Sequence, residues 1–139
     1  MKKSLLIFLI IFFSSVTKSF SIEPDIFVQS TVNRASQILS ENISKSEKIN
    51  KLKIIAKETV DIKGVGFYSL GAARKNLDEN QKQKYSKLFE AYFLKSFSSR
   101  LAEYTNPEIQ VNSKEILNKN YTMVNSILIA TSERPEVKI

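Results

Sequence analysis

The order of apolar and polar residues along the first half of the chain predicts helices. From Pro24 to Leu39, apolar residues recur every three or four positions, which is the spacing of one side of a helix. A second stretch of this kind follows Ser44, and Ser44 and Glu47 have the separation of a capping box. The pattern therefore predicts two helices joined by the polar segment 40–46.

A short third helix and a long fourth helix are predicted next. Asp61 is placed to cap the short helix, and Gly71 is placed to terminate it. Asp78 is predicted as the N-cap of the long helix, with Gln81 at its third position and an end near Tyr104. The apolar residues of the long helix form one predicted stripe, made of Tyr85, Leu88, Phe89, Tyr92, Phe93, Phe97, Leu101 and Tyr104.

After Asn106 and Pro107 the period of the pattern changes from that of a helix to that of a strand. Ile109 and Val111 alternate with polar residues, as they do in a strand with one face on a core. A second strand is predicted with one apolar face, and a third begins at Val137. The apolar face of the second strand consists of Tyr121, Met123, Ile127 and Ile129. Helices followed by antiparallel strands predict an α+β fold.

The N-terminus has the pattern of a cleavable export signal. Lys2 and Lys3 precede the apolar run Leu5–Phe13, and small residues follow, with a predicted cut after Ser21. The apolar run is too short to span a bilayer as a helix, which takes ~20 residues. The sequence thus predicts a signal peptide at residues 1–21 and a single exported domain at residues 22–139.

The composition narrows the chemistry that this domain can perform. The chain contains neither His nor Cys, so a Ser-His-Asp or Cys-His nucleophile and an ordinary zinc site are excluded. The carboxylates show no pairing suited to acid–base work, so we expect neither an enzyme nor a bound metal or cofactor. The net charge is +7, but the arginines are widely scattered, and this does not favour nucleic acid as a partner.

The segment from Asp61 to Tyr104 resembles the MlaC family, which is also called the toluene-tolerance family. That segment reads DIKGVGFYSLGAARKNLDENQKQKYSKLFEAYFLKSFSSRLAEY. It follows the family pattern at Asp61, Leu70-Gly71, Asp78, Gln81, Tyr85, Phe89, Phe97, Leu101 and Tyr104. The opening residues Pro24 to Val28 are similar to the Pro-x-x-Phe-Val with which family members begin. Two features depart from the family: Arg74-Lys75 stands where a Trp-Arg pair is usual, and further strands and a final helix are expected after Ile139.

The resemblance implies a fold and a function. The fold would be a cone like that of nuclear transport factors, with N-terminal helices packed on a twisted antiparallel sheet that is incomplete here. The protein would be a periplasmic phospholipid carrier between an outer-membrane lipoprotein complex and an inner-membrane ABC transporter, and would maintain the lipid asymmetry of the outer membrane. The alternative is a secreted, non-enzymatic interaction module, or a non-functional truncated remnant of such a carrier.

The resemblance also implies which residues would contact lipid. The aromatic stripe of the long helix can either pack a solid core or line a cavity for acyl chains. Arg74 and Lys75 are the candidates for contact with a lipid headgroup, and the alternative is that they are solvated surface charges. The acyl-chain candidates are apolar residues of the third helix, the long helix and the second strand, namely Val65, Phe67, Leu70, Phe89, Phe93, Phe97, Tyr121, Met123 and Ile127.

Overall fold

The computed structural model describes residues 21–105, 107–130 and 135–139. Apart from Ser21, the predicted signal peptide lies outside these residues. The described helices are α1 (Pro24–Ser40), α2 (Lys45–Thr59), α3 (Ile62–Ser69), a 3-10 helix (Gly71–Asn76) and α4 (Glu79–Leu101). The strands are β1 (Ile109–Asn118), β2 (Tyr121–Leu128) and β3 (Val137–Lys138). Helices followed by an antiparallel sheet in the order β1-β2-β3 confirm the predicted α+β class.

The predicted caps define where the helices begin. The Ser44 hydroxyl accepts a hydrogen bond from the Glu47 amide at 3.2 Å, and the Glu47 carboxylate accepts one from the Ser44 amide at 3.0 Å. Asp78 and Gln81 exchange the same two bonds at the start of α4, at 2.8 and 3.0 Å. Both helix starts are confirmed, because these side chains satisfy amide groups that the helix itself leaves unpaired.

The short helix α3 also begins and ends as predicted. The Asp61 carboxylate accepts a hydrogen bond from the Gly64 amide at 2.9 Å. Gly71 has a φ of +54°, which is a left-handed conformation that a residue with a Cβ rarely adopts. The backbone therefore leaves the α-helix at Gly71 and continues as the 3-10 helix.

The predicted stripe on α4 is too wide, and α4 ends at Leu101 rather than at Tyr104. The rings that pack together lie four residues apart, and their centroids are 5.4–6.2 Å from one another in the series Tyr85, Phe89, Phe93 and Phe97. Leu88 and Tyr92 instead remain 62% and 68% exposed. The reason is tertiary: α2 and α3 both pack against one side of α4, and the side chains one step around the helix face solvent.

The core lies between the helices, and the sheet joins it at one end. Buried apolar side chains from α2, α3 and α4 meet at Ala56, Ile62 and Leu94. The sheet contributes Leu128 to the buried set, opposite Ile109 in the β1–β2 register. Beyond Val111, every residue of β1 is exposed, so the far half of the β1–β2 hairpin extends away from the core.

One charged cluster ties this hairpin to the start of α1. The Lys114 ammonium lies 2.6 Å from a carboxylate oxygen of Glu23 and 2.8 Å from one of Asp25. The hydrogen bond from Lys114 is the main reason that the pKa of Asp25 is lowered. The same contacts, first with Asp25 and then with Glu23, raise the pKa of Lys114.

Replacement of Lys114 by Gln is expected to move the pKa of Asp25 back up toward its ordinary value of 3.8. A carboxylate whose pKa is lower in the folded state stabilises the fold above its unfolded pKa, and this contribution is lost as the pH falls through the folded value. The unsubstituted protein should therefore lose more stability than Lys114→Gln on acidification below about pH 4. An NMR titration of the Asp25 carboxyl carbon measures the shift. Lys119→Gln, in the exposed turn of the same hairpin, should leave that titration unchanged.

Candidate functional site

An apolar cavity of about 370 Å³ lies where α1, α2 and the C-terminal part of α4 meet the sheet. It is partly enclosed, and nearly all of its wall is made of aliphatic and aromatic side chains. The helical part of the wall includes Val28, Val32, Ala35, Leu39, Leu52, Ile55, Ala56, Phe97 and Leu101. The sheet contributes Ile109, Ser126, Leu128, Val137 and Ile139.

The helical wall follows directly from the apolar periodicity of the sequence. Val28, Val32, Ala35 and Leu39 are three or four residues apart, so they stand above one another on one side of α1. On α2, the side that faces this space is formed by the buried residues Leu52, Ile55 and Ala56. The two helices therefore present apolar stripes to the same space, and that space is the cavity.

The few hydroxyl groups in the helical wall are bonded to the backbone. Thr31 donates to the Phe27 carbonyl at 2.9 Å, and Thr59 donates to the Ile55 carbonyl at 2.8 Å. Ser36 donates to the Pro107 carbonyl at 3.3 Å. The proton of each of these hydroxyl groups is therefore already donated within the protein and does not need a polar ligand to accept it. The cavity is therefore suited to hydrocarbon rather than to a polar molecule.

Among the described residues that line the cavity, none is Asp, Glu, Lys or Arg. Within residues 21–105, 107–130 and 135–139, no group of three or more acidic side chains is placed to hold a metal ion. The arrangement therefore provides mainly apolar burial. No helix in this part of the chain combines the length and apolar character needed to cross a membrane.

Only one of the predicted acyl-chain residues, Phe97, lies in the cavity wall. Phe89 and Phe93 pack against the helical core. The ring centroid of Phe67 lies 6.2 Å from that of Tyr85, and Leu70 is half-buried at the end of α3. Val65 is 44% exposed. The predicted headgroup residues Arg74 and Lys75 are exposed on the 3-10 helix and do not line the cavity.

The predicted residues of β2 lie on the face of the strand that points away from the cavity. Ser126 and Leu128 point into the cavity, and side chains of a strand alternate between its faces. Tyr121, Met123 and Ile127 therefore point the other way, and Tyr121 is 67% exposed. The β2 pattern contains two half-apolar faces, so periodicity alone did not show which of them meets the helices.

The predicted acyl-chain residues do not include those of α1, although α1 forms a large part of the cavity wall. The spacing of Val28, Val32 and Ala35 predicts an apolar stripe, but a stripe against a solid core and a stripe against a cavity have the same spacing. The signal that could have separated them is side-chain size. Val, Ala, Ser and Thr predominate on this side of α1, and they fill less space than the large residues on α4.

Comparison with known proteins gives a family for this arrangement. The family model described as MlaC protein matches residues 29–139, which include every wall residue named above except Val28. No curated protein and no solved structure matches the chain significantly. Proteins of the MlaC family are periplasmic, bind phospholipid and take part in lipid transport. Because the match covers most of the chain, this protein belongs to the MlaC family of phospholipid-binding transport proteins.

Proposed function

We propose that this protein is a periplasmic phospholipid carrier that holds acyl chain in the cavity between α1, α2, α4 and the sheet. It would pass lipid between an outer-membrane lipoprotein complex and an inner-membrane ABC transporter, and so maintain the lipid asymmetry of the outer membrane. The observation that carries the proposal is the apolar wall of the cavity, in which the hydroxyl groups of Thr31, Ser36 and Thr59 are bonded to the backbone. Membership of the MlaC family supports it.

Apolar burial is sufficient to hold such a ligand. Removing a methylene group from water is worth about 0.8 kcal/mol, so ten buried methylenes would contribute roughly 8 kcal/mol before the cost of ordering the chain. Release does not require a bond to be broken, because the lipid is held without covalent chemistry. The proposal assigns no headgroup role to Arg74 or Lys75, since neither lines the cavity.

The test is to fill the cavity with protein. Ala35 is a small, half-buried residue of the α1 wall, and Ala35→Trp would place an indole ring where an acyl chain is proposed to lie. Protein purified from expressing cells would be analysed by native mass spectrometry. We expect the unsubstituted protein to carry co-purified phospholipid and Ala35→Trp to lose most of it.

The matched control is Gln37→Trp, which introduces the same side chain on the exposed side of the same helix. This variant should keep its phospholipid, and circular dichroism should show that both variants are folded. The proposal would be overturned if the unsubstituted protein were isolated without lipid, or if both Trp variants retained it equally.

A further inference from the structure

The outer side of α4 carries apolar and basic side chains that the fold does not use. Leu88 and Tyr92 are 62% and 68% exposed, and Lys84, Ala91 and Lys95 are exposed as well. Their separations of three and four residues place them on one side of the helix, opposite the side that packs on α2 and α3. We refer to these five residues as the α4 outer face.

The charge of this face is of one sign. The acidic residues within α4 are Glu79 and Glu90, and they pair with Lys82 and Lys57 at 2.7 and 3.2 Å. Glu90 lies toward α2 rather than on the α4 outer face. Lys84 and Lys95 take part in none of the ion pairs formed within the described part of the chain. The face thus presents two ammonium groups that no carboxylate of this region neutralises.

We propose that the α4 outer face binds the surface of a bilayer that contains anionic phospholipid. The combination of a short apolar strip with flanking lysines is that of a helix lying in the plane of a membrane interface. The Lys84 and Lys95 stems can lie along the acyl boundary while their ammonium groups remain among the phosphates. The ring of Tyr92 suits the headgroup level, where its apolar body and polar hydroxyl both find partners.

This contact is separate from the proposed cavity ligand, because the α4 outer face and the cavity are formed by different sides of α4. The cavity takes Phe97 and Leu101 from the helix, whereas the outer face consists of Lys84 and the residues from 88 to 95. A protein with an empty cavity is expected to bind the bilayer as well as a loaded one. Failure of one proposal therefore leaves the other standing.

The experiment is a sedimentation assay with vesicles, using protein released from cells by osmotic shock. Vesicles of phosphatidylcholine mixed with phosphatidylglycerol would be compared with vesicles of phosphatidylcholine alone. Each lysine near an anionic surface contributes about a fivefold increase in partitioning, so Lys84→Gln with Lys95→Gln should weaken binding by about tenfold or more. Leu88→Ser with Tyr92→Ser should also weaken binding to the anionic vesicles. A higher salt concentration should weaken vesicle binding by the unsubstituted protein.

Two matched variants make the outcome decisive. Lys84→Arg with Lys95→Arg keeps the charge and should bind as the unsubstituted protein does. Lys119→Gln with Lys138→Gln removes the same charge from exposed positions of the hairpin turn and β3, and should change binding by less than about twofold. Equal loss in this last variant would show attraction through overall charge and would overturn the proposal. So would the absence of any preference for the anionic vesicles, which would point instead to an acidic protein as the occupant.

Discussion

Leu52→Ala is expected to lower the free energy of unfolding by about 2–5 kcal/mol. Leu52 is 1% exposed on α2 and is one of the largest fully buried side chains in the described part of the chain. Truncation of Leu52 to Ala removes buried methyl groups, and it leaves a space that the surrounding helices can close only in part. Because Leu52 also lines the cavity, the lost volume adds to a space that is already present.

Urea denaturation followed by circular dichroism measures this loss, and Leu88→Ala provides the control. Leu88 undergoes the same change of side chain at a position that is 62% exposed, so its effect should stay within about 0.5 kcal/mol. Similar losses at the two positions would show that Leu52 is not part of a cooperative core. A lower phospholipid content in Leu52→Ala is also expected, since part of the proposed acyl-chain wall is removed.

Gly66→Val is expected to destabilise the protein by about 1–3 kcal/mol, because the position has no room for a side chain. A Cβ at Gly66 would lie 2.8 Å from Cδ1 of Phe89 and 3.0 Å from its Cγ. The Phe89 ring cannot easily give way, since it is packed between Tyr85 at 5.8 Å and Phe93 at 6.2 Å. The better helix propensity of Val offsets only a few tenths of a kcal/mol of this cost.

Thermal and urea denaturation of Gly66→Val should be compared with those of Tyr68→Val. Tyr68 is on the same short helix but is 82% exposed, so Val there should have a small effect. The cost at Gly66 should shrink when Phe89 is also replaced by Leu, because the two positions share one contact. If the two costs were simply additive, the close approach of α3 to α4 would not be the cause.

The features that the sequence predicted well are those decided by neighbouring residues. Ser44 with Glu47 and Asp78 with Gln81 are three positions apart, and each pair completes its own hydrogen bonds without help from the rest of the fold. Gly71 ends α3 because its own backbone can take a positive φ. Local chemistry of this kind can be recognised before any tertiary contact is known.

The features that the sequence predicted poorly depend on which helices and strands pack against one another. Leu88 and Tyr92 have the spacing of a packed stripe on α4, but α2 and α3 occupy only part of that arc. The same limit applies to the site. The alternation in β2 predicts Tyr121 and Met123 on the inward face, whereas Ser126 and Leu128 are the residues that are buried and line the cavity. The spacing of apolar residues predicts that a helix or strand has an apolar side, but it does not predict which element packs against that side.

Part of the cavity wall comes from the edge of the sheet, at β3. Val137 of β3 and Ile139, the residue that follows β3, both line the cavity. The Ile139 amide donates to the Ser126 carbonyl at 2.8 Å, and the Ile139 carbonyl accepts from the Ser126 amide at 3.0 Å. Within the described residues, the pairing of β2 with residues 137–139 involves few residues, and it lies at the edge of the sheet rather than in the helical core. Amide hydrogens of this pairing should therefore exchange with solvent faster than those of α2, whose Leu52, Ile55 and Ala56 lie in the core.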